Sequence, residues 1–101
     1  MKRTREKNKM THIATMYSKT RGCQSCRITE RKMAELQILH KVEIIHIDQP
    51  ENEHILQELK KEGLMQAPII KTKKPITVHG KPITQWQGLV PDAIKALKEN
   101  A

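Results

Sequence analysis

Cysteine is scarce in this chain: of 101 residues, only Cys23 and Cys26 carry a thiol. Two cysteines three positions apart cannot staple a small secreted fold, because the loop they close is too short to remove much unfolded-chain entropy. The pair is read instead as redox-active or metal-binding. Long apolar runs are missing too, so no membrane span is expected, and the opening MKRTREKNKM lacks the hydrophobic segment of a signal peptide. A cytoplasmic location is the expectation. The length leaves room for one hydrophobic core and not for two. With no sign of an oligomer, a monomer is expected.

The formal charge of +8 points first to nucleic acid or another acidic partner. Its distribution weakens that reading. Five bases (Lys2, Arg3, Arg5, Lys7 and Lys9) against one acid, Glu6, put a surplus of four on residues 1–10, which have no apolar anchor. Residues 1–10 are therefore expected to be a flexible basic tail, and residues 11–101 a single folded domain.

The run from His12 to Tyr17 (HIATMY) has the β-branched and apolar mix of a buried strand. A polar loop from Ser18 to Gly22 follows. From Gln24 to about His40, Ile28, Met33, Leu36 and Leu39 recur at near-helical spacing, which predicts an amphipathic helix that begins at the cysteines. Val42 to Ile47 (VEIIHI) is a second strand, and a strand-helix-strand unit of this length implies a right-handed crossover with parallel pairing. Asp48 and Pro50 supply the cap and first turn of a second helix, Ile55, Leu56 and Leu59 its apolar stripe, and Gly63 its end. Ala67-Pro68-Ile69-Ile70 opens a third strand. KPIT then occurs twice about His79-Gly80, which predicts a long antiparallel hairpin that Gly88 ends. Val90-Pro91-Asp92 starts a last helix with Ile94 and Leu97 facing inward. The expected fold is α/β, in the order βαβαββα: a four-stranded mixed sheet flanked by three helices, with an extended last hairpin.

This order puts the two thiols at a strand-to-helix corner. A helix N-terminus offers unpaired amide donors and about half a positive charge, both of which favour thiolate, and such sites bring a cysteine pKa from about 8.5 to roughly 3.5–7.5. Cys23, nearer that end, is assigned as the attacking nucleophile, and Cys26, one turn inward, as the resolving thiol. Lys19 and Arg21 add positive potential, and Gln24 and Ser25 tune the couple from between the cysteines. The competing reading is a zinc or nucleic-acid-binding module, since Cys23, Cys26, His40 and His46 fall within loose zinc-finger spacing. Six residues of extended chain between His40 and His46 span roughly 20 Å, too far for two ligands of one tetrahedral zinc. No metal and no cofactor beyond the Cys23–Cys26 disulfide is expected.

YSK before the cysteines, CQSC itself, QAPII and the ending WQGLVPDAIKAL together resemble the glutaredoxin branch of the thioredoxin-like proteins, and within it the NrdH-redoxins. The resemblance implies a glutaredoxin-type fold, reduction by thioredoxin reductase, and electron donation to a class Ib ribonucleotide reductase or another disulfide protein. It also implies a cis Pro68 facing the disulfide, with the backbone near Ala67 open to an incoming chain. Tyr17, Lys19, Gln24, Ser25, Ala67, Pro68, Trp86, Gln87 and Gly88 become the expected partner-binding positions. A glutathione-dependent glutaredoxin is the alternative, with Lys19 holding one carboxylate of the tripeptide. Gln87 and Leu89 stand where the family has Ser and Phe, and the KPIT hairpin adds residues between Pro68 and Trp86.

Overall fold

A computed structural model describes residues 12–100; the basic stretch 1–10 lies outside the described residues. The elements are β1 (Ala14–Ser18), α1 (Gln24–Glu35), β2 (Val42–His46), α2 (Glu53–Lys61), β3 (Ile69–Val78), β4 (Lys81–Gln87) and α3 (Pro91–Glu99). Short 3-10 turns at Leu39–Lys41 and Pro50–Asn52 lead into β2 and α2. The four strands lie in the order β2-β1-β3-β4, with β1 parallel to β2 and antiparallel to β3, and β3 antiparallel to β4. This is the mixed sheet expected from the order of elements.

Alternation along the strands divides the core. Ala14, Met16 and Ile70 face one way and pack with Met33 of α1 and Ala93, Ile94 and Leu97 of α3. Tyr17 and Ile69 face the other way, toward Ile47 and toward Ile55, Leu56 and Leu59 of α2. A one-residue slip of β1 against β3 would exchange these two sets, so burial on both faces holds the register.

Two boundaries differ from the sequence reading. Helix α1 stops at Glu35 and does not run on to His40. Gln37 adopts φ 62°, its N–H bonds to Ala34 O, and Ile38 N–H reaches Met33 O at 2.9 Å. This is a Schellman turn without a glycine, closed by the buried Ile38. Asp48, expected to cap α2, is turned back toward β1 and accepts from Thr20 N and Thr20 Oγ1 at 2.9 and 2.8 Å. Pro50 starts a 3-10 turn instead, and α2 follows from Glu53. The hairpin forms as expected. His79 and Gly80 both have positive φ, 53° and 78°, the pair of left-handed residues that a two-residue type I′ connection needs.

Candidate active site

Gly22, at φ 66°, turns the chain out of the β1 loop so that Cys23 becomes the N-cap of α1. Cys23 and Cys26 are joined as a disulfide, with their Cα atoms 5.3 Å apart. Their surroundings differ: Cys23 is half-buried, while Cys26 is 1% exposed. The amide of Cys26 points at Cys23 Sγ from 3.2 Å. There is no acid in the first turn of α1, so no carboxylate there opposes negative charge on sulfur at the positive end of the helix. Exposed Arg21, Gln24 and Arg27 and half-buried Ser25 surround the pair.

Facing it is the turn before β3. Cys23 Sγ lies 3.7 Å from Ala67 O, and the Ala67–Pro68 bond is cis, with Pro68 fully buried. The end of β4 holds this turn in place. The side-chain oxygen of Gln87 accepts from the backbone amides of Met65 and Gln66 at 3.0 and 2.9 Å. Gly88 N–H donates to Gln66 O and Pro68 O at 3.1 and 2.8 Å. The Gln87 side chain thus ties the backbone of Met65 and Gln66 to the end of β4.

Among solved structures, the oxidised thioredoxin from Plasmodium falciparum aligns with 99% of this chain and 90% of its own, with a TM-score of 0.55 and 15% sequence identity. The chain has the thioredoxin fold. No family model and no curated protein matches it. Within the thioredoxin fold, the Cys23–Cys26 disulfide at the first turn of α1 forms a self-contained two-electron couple.

The remaining expected positions are dispersed. Trp86 is 8% exposed, pairs with Ile70 across β3–β4 and belongs to the core that α1 and α3 cover; its Nε1 has no hydrogen-bond partner. Tyr17 packs half-buried on the opposite face, with Ile69 and Leu59. Lys19 lies on the rim of a cleft of about 280 Å³ floored by Ile47, Leu56, Leu64 and Ile69, with Lys60 also on the rim. Met65, on the same rim, is 67% exposed and is the large apolar side chain most open to solvent among the described residues. Among the described residues, no three His, Cys, Asp or Glu side chains gather as a metal would require. His40 lies in the turn before β2 and His46 at that strand's end. No helix among the described residues is long and apolar enough to cross a membrane.

Two contributors were not read from the sequence. Asp48 clamps the loop leading to Cys23 through Thr20, and Gln49 Nε2 adds a bond to Thr20 Oγ1 at 3.3 Å. The helix-start pattern Asp-x-Pro concealed this, because it matches a cap equally well. Partial desolvation pushes the Asp48 carboxyl up. Hydrogen bonds from the Thr20 side chain and from the backbone of Thr20 and Arg21 outweigh that and hold it below its ordinary 3.8. Thr29 is the second. It is a polar residue on the buried stripe Cys26–Thr29–Met33, and its three-residue spacing from Cys26 was the signal.

Proposed function

We propose that the chain is a small dithiol–disulfide oxidoreductase that reduces disulfides in other proteins, with Cys23 attacking and Cys26 resolving. The observation that carries this is the asymmetric disulfide at the start of α1, one sulfur half-exposed opposite the cis Ala67–Pro68 turn and the other buried. In the reduced protein, Cys23 thiolate attacks one sulfur of a substrate disulfide. That bond breaks, the other substrate sulfur leaves as a thiolate and takes a proton from water, and a mixed disulfide remains. Cys26 thiolate then attacks Cys23 Sγ and expels the second substrate sulfur, so two electrons have passed to the substrate and the Cys23–Cys26 disulfide has closed.

In its finer form the reading is an NrdH-like redoxin, reduced by thioredoxin reductase and donating electrons to a class Ib ribonucleotide reductase. The ending WQGLVPDAIKAL and the network made by Gln87 and Gly88 support it. A glutathione-dependent glutaredoxin is the second reading, favoured by Lys19 and Lys60 on one rim of the apolar cleft, two cations for a ligand with two carboxylates.

NADPH consumption with a disulfide substrate tests both. One reaction contains thioredoxin reductase, the other glutathione and glutathione reductase. Turnover in the first alone is expected, and turnover in the second alone would select the glutaredoxin reading. Cys23→Ser is expected to abolish turnover, while Cys26→Ser should trap a mixed disulfide visible by mass; the reverse pattern would exchange the two roles.

A further inference from the structure

Helix α1 buries one stripe, Cys26, Thr29 and Met33, and Thr29 has none of its surface exposed. Thr29 Oγ1 has no hydrogen-bond partner, and Trp86 Nε1 is the other buried side-chain polar atom so left among the described residues. Burying a hydroxyl without a partner is costly, so such a group calls for a physical reason. Its place in the helix supplies one. Residues three apart on a helix are neighbours, and helical side chains lean toward the N-terminus, so Thr29 leans over the turn that carries Cys26.

The two redox states make different demands at that point. In the disulfide, Cys26 sulfur is bonded to Cys23 and has little use for a donor. Reduction breaks that bond and leaves two thiols, of which Cys26, at 1% exposure, is closed off from water. A buried sulfur about to become a nucleophile needs a donor that favours its thiolate. Ser18, Thr29 and the indole of Trp86 carry buried side-chain donors among the described residues, and of these Thr29 is on the cysteine's own helical stripe.

We propose that Thr29 is a positioning residue for the resolving thiol: its hydroxyl, unpartnered while the disulfide is closed, donates a hydrogen bond to Cys26 Sγ once the pair is reduced. This rests on the reading of Cys26 as the resolving sulfur. The hydroxyl keeps its proton throughout. Cys26 gives up its proton as its sulfur attacks Cys23 Sγ, the bond from Cys23 to the substrate sulfur breaks, and the departing substrate sulfur takes up that proton. Thr29 thereby stabilises the reduced state against the oxidised one and raises the potential of the couple.

Equilibration of the full chain in dithiothreitol redox buffers, with the two thiols counted by alkylation and mass, measures that potential. It needs no partner protein, so its answer is independent of the reductase assay. Thr29→Val, which removes the hydroxyl and keeps the shape, is expected to favour the disulfide about tenfold, a midpoint lower by about 30 mV for a two-electron couple. Thr29→Ser should stay within about twofold of wild type. Unfolding of the oxidised proteins supplies the control: oxidised Thr29→Val should be at least as stable as wild type, because the hydroxyl has no partner to lose there. An unchanged midpoint in Thr29→Val, an equal shift in Thr29→Ser, or a loss of stability in oxidised Thr29→Val would each overturn the proposal.

Discussion

Gln37 sits in a left-handed conformation, φ 62°, that costs a residue with a Cβ roughly 1–2 kcal/mol. It is held there because the next residue, Ile38, is buried against the core and its amide closes the end of α1. Glycine would adopt the same angle without that cost, though it gives up some of the gain through the greater freedom of the unfolded chain. Gln37→Gly is therefore expected to stabilise the protein by about 0.5–1 kcal/mol, which for a domain of this size raises the melting temperature by roughly 2–6 °C. Calorimetry of the oxidised forms checks this, and a lower melting temperature would show that the glutamine side chain contributes more than its backbone costs. The residue also shows what the sequence conceals. Helical periodicity continues through Leu36 and Leu39, and a glutamine gives no stop signal where glycine would have given one. Gly63, which ends α2 with the same pair of hydrogen bonds, was legible. Cys23 and Cys26 were legible for a different reason: their chemistry belongs to the residue type, and only their place at a helix start had to be inferred from the flanking pattern.

Between elements, the long hairpin forms as its sequence foretold but carries an irregularity that the sequence does not show. The repeated KPIT and the His79-Gly80 turn foretold two paired strands, but pairing runs Lys71 to Gln85 and then Ile76 to Ile83. Strand β3 uses five steps where β4 uses two, so a bulge separates the hairpin's root from its tip. Inside the bulge, Thr72 Oγ1 lies 2.7 Å from Lys74 O and 3.2 Å from Thr84 O, which gives the displaced backbone a local partner. No periodicity announces such an excess. Beyond the bulge, Ile76 is 2% exposed and belongs to the core with Trp86 and Leu97, so the tip is anchored to the body of the fold. A second tie, between His79 Nε2 and Asp92 Oδ2 at 2.6 Å, is fully at the surface and contributes little. Ile76→Ala is expected to cost about 2–4 kcal/mol in urea unfolding, the range for emptying a buried isoleucine site. A cost below about 1 kcal/mol would mean that the tip packs independently of the rest.

At the scale of the whole molecule, the candidate site is assembled from the ends of strands that burial holds in register. The arrangement of the sheet was legible because the strand-helix-strand unit forces β1 and β2 parallel and the hairpin forces β3 and β4 antiparallel. What was not legible is how the loops at that end are tied to one another, since such ties depend on side chains that become neighbours only after folding. Asp48 to Thr20 is the clearest case, joining residues 28 apart in sequence on the approach to Cys23. Its dependence on charge makes it testable. The Asp48 carboxyl is held below its ordinary 3.8 in the folded protein, so the folded state favours the carboxylate more than the unfolded chain does. The resulting stabilisation is complete above that value and is lost as pH falls below it toward the lower folded value. Asp48→Ala should therefore be less stable than wild type by a constant amount at mildly acidic and neutral pH. The gap should narrow progressively once the pH falls below about 3.8. Urea midpoints for the two proteins at a series of pH values measure it. If the gap persisted undiminished at the acid end, Thr20 would be held by the shape of the loop and not by the charge on Asp48.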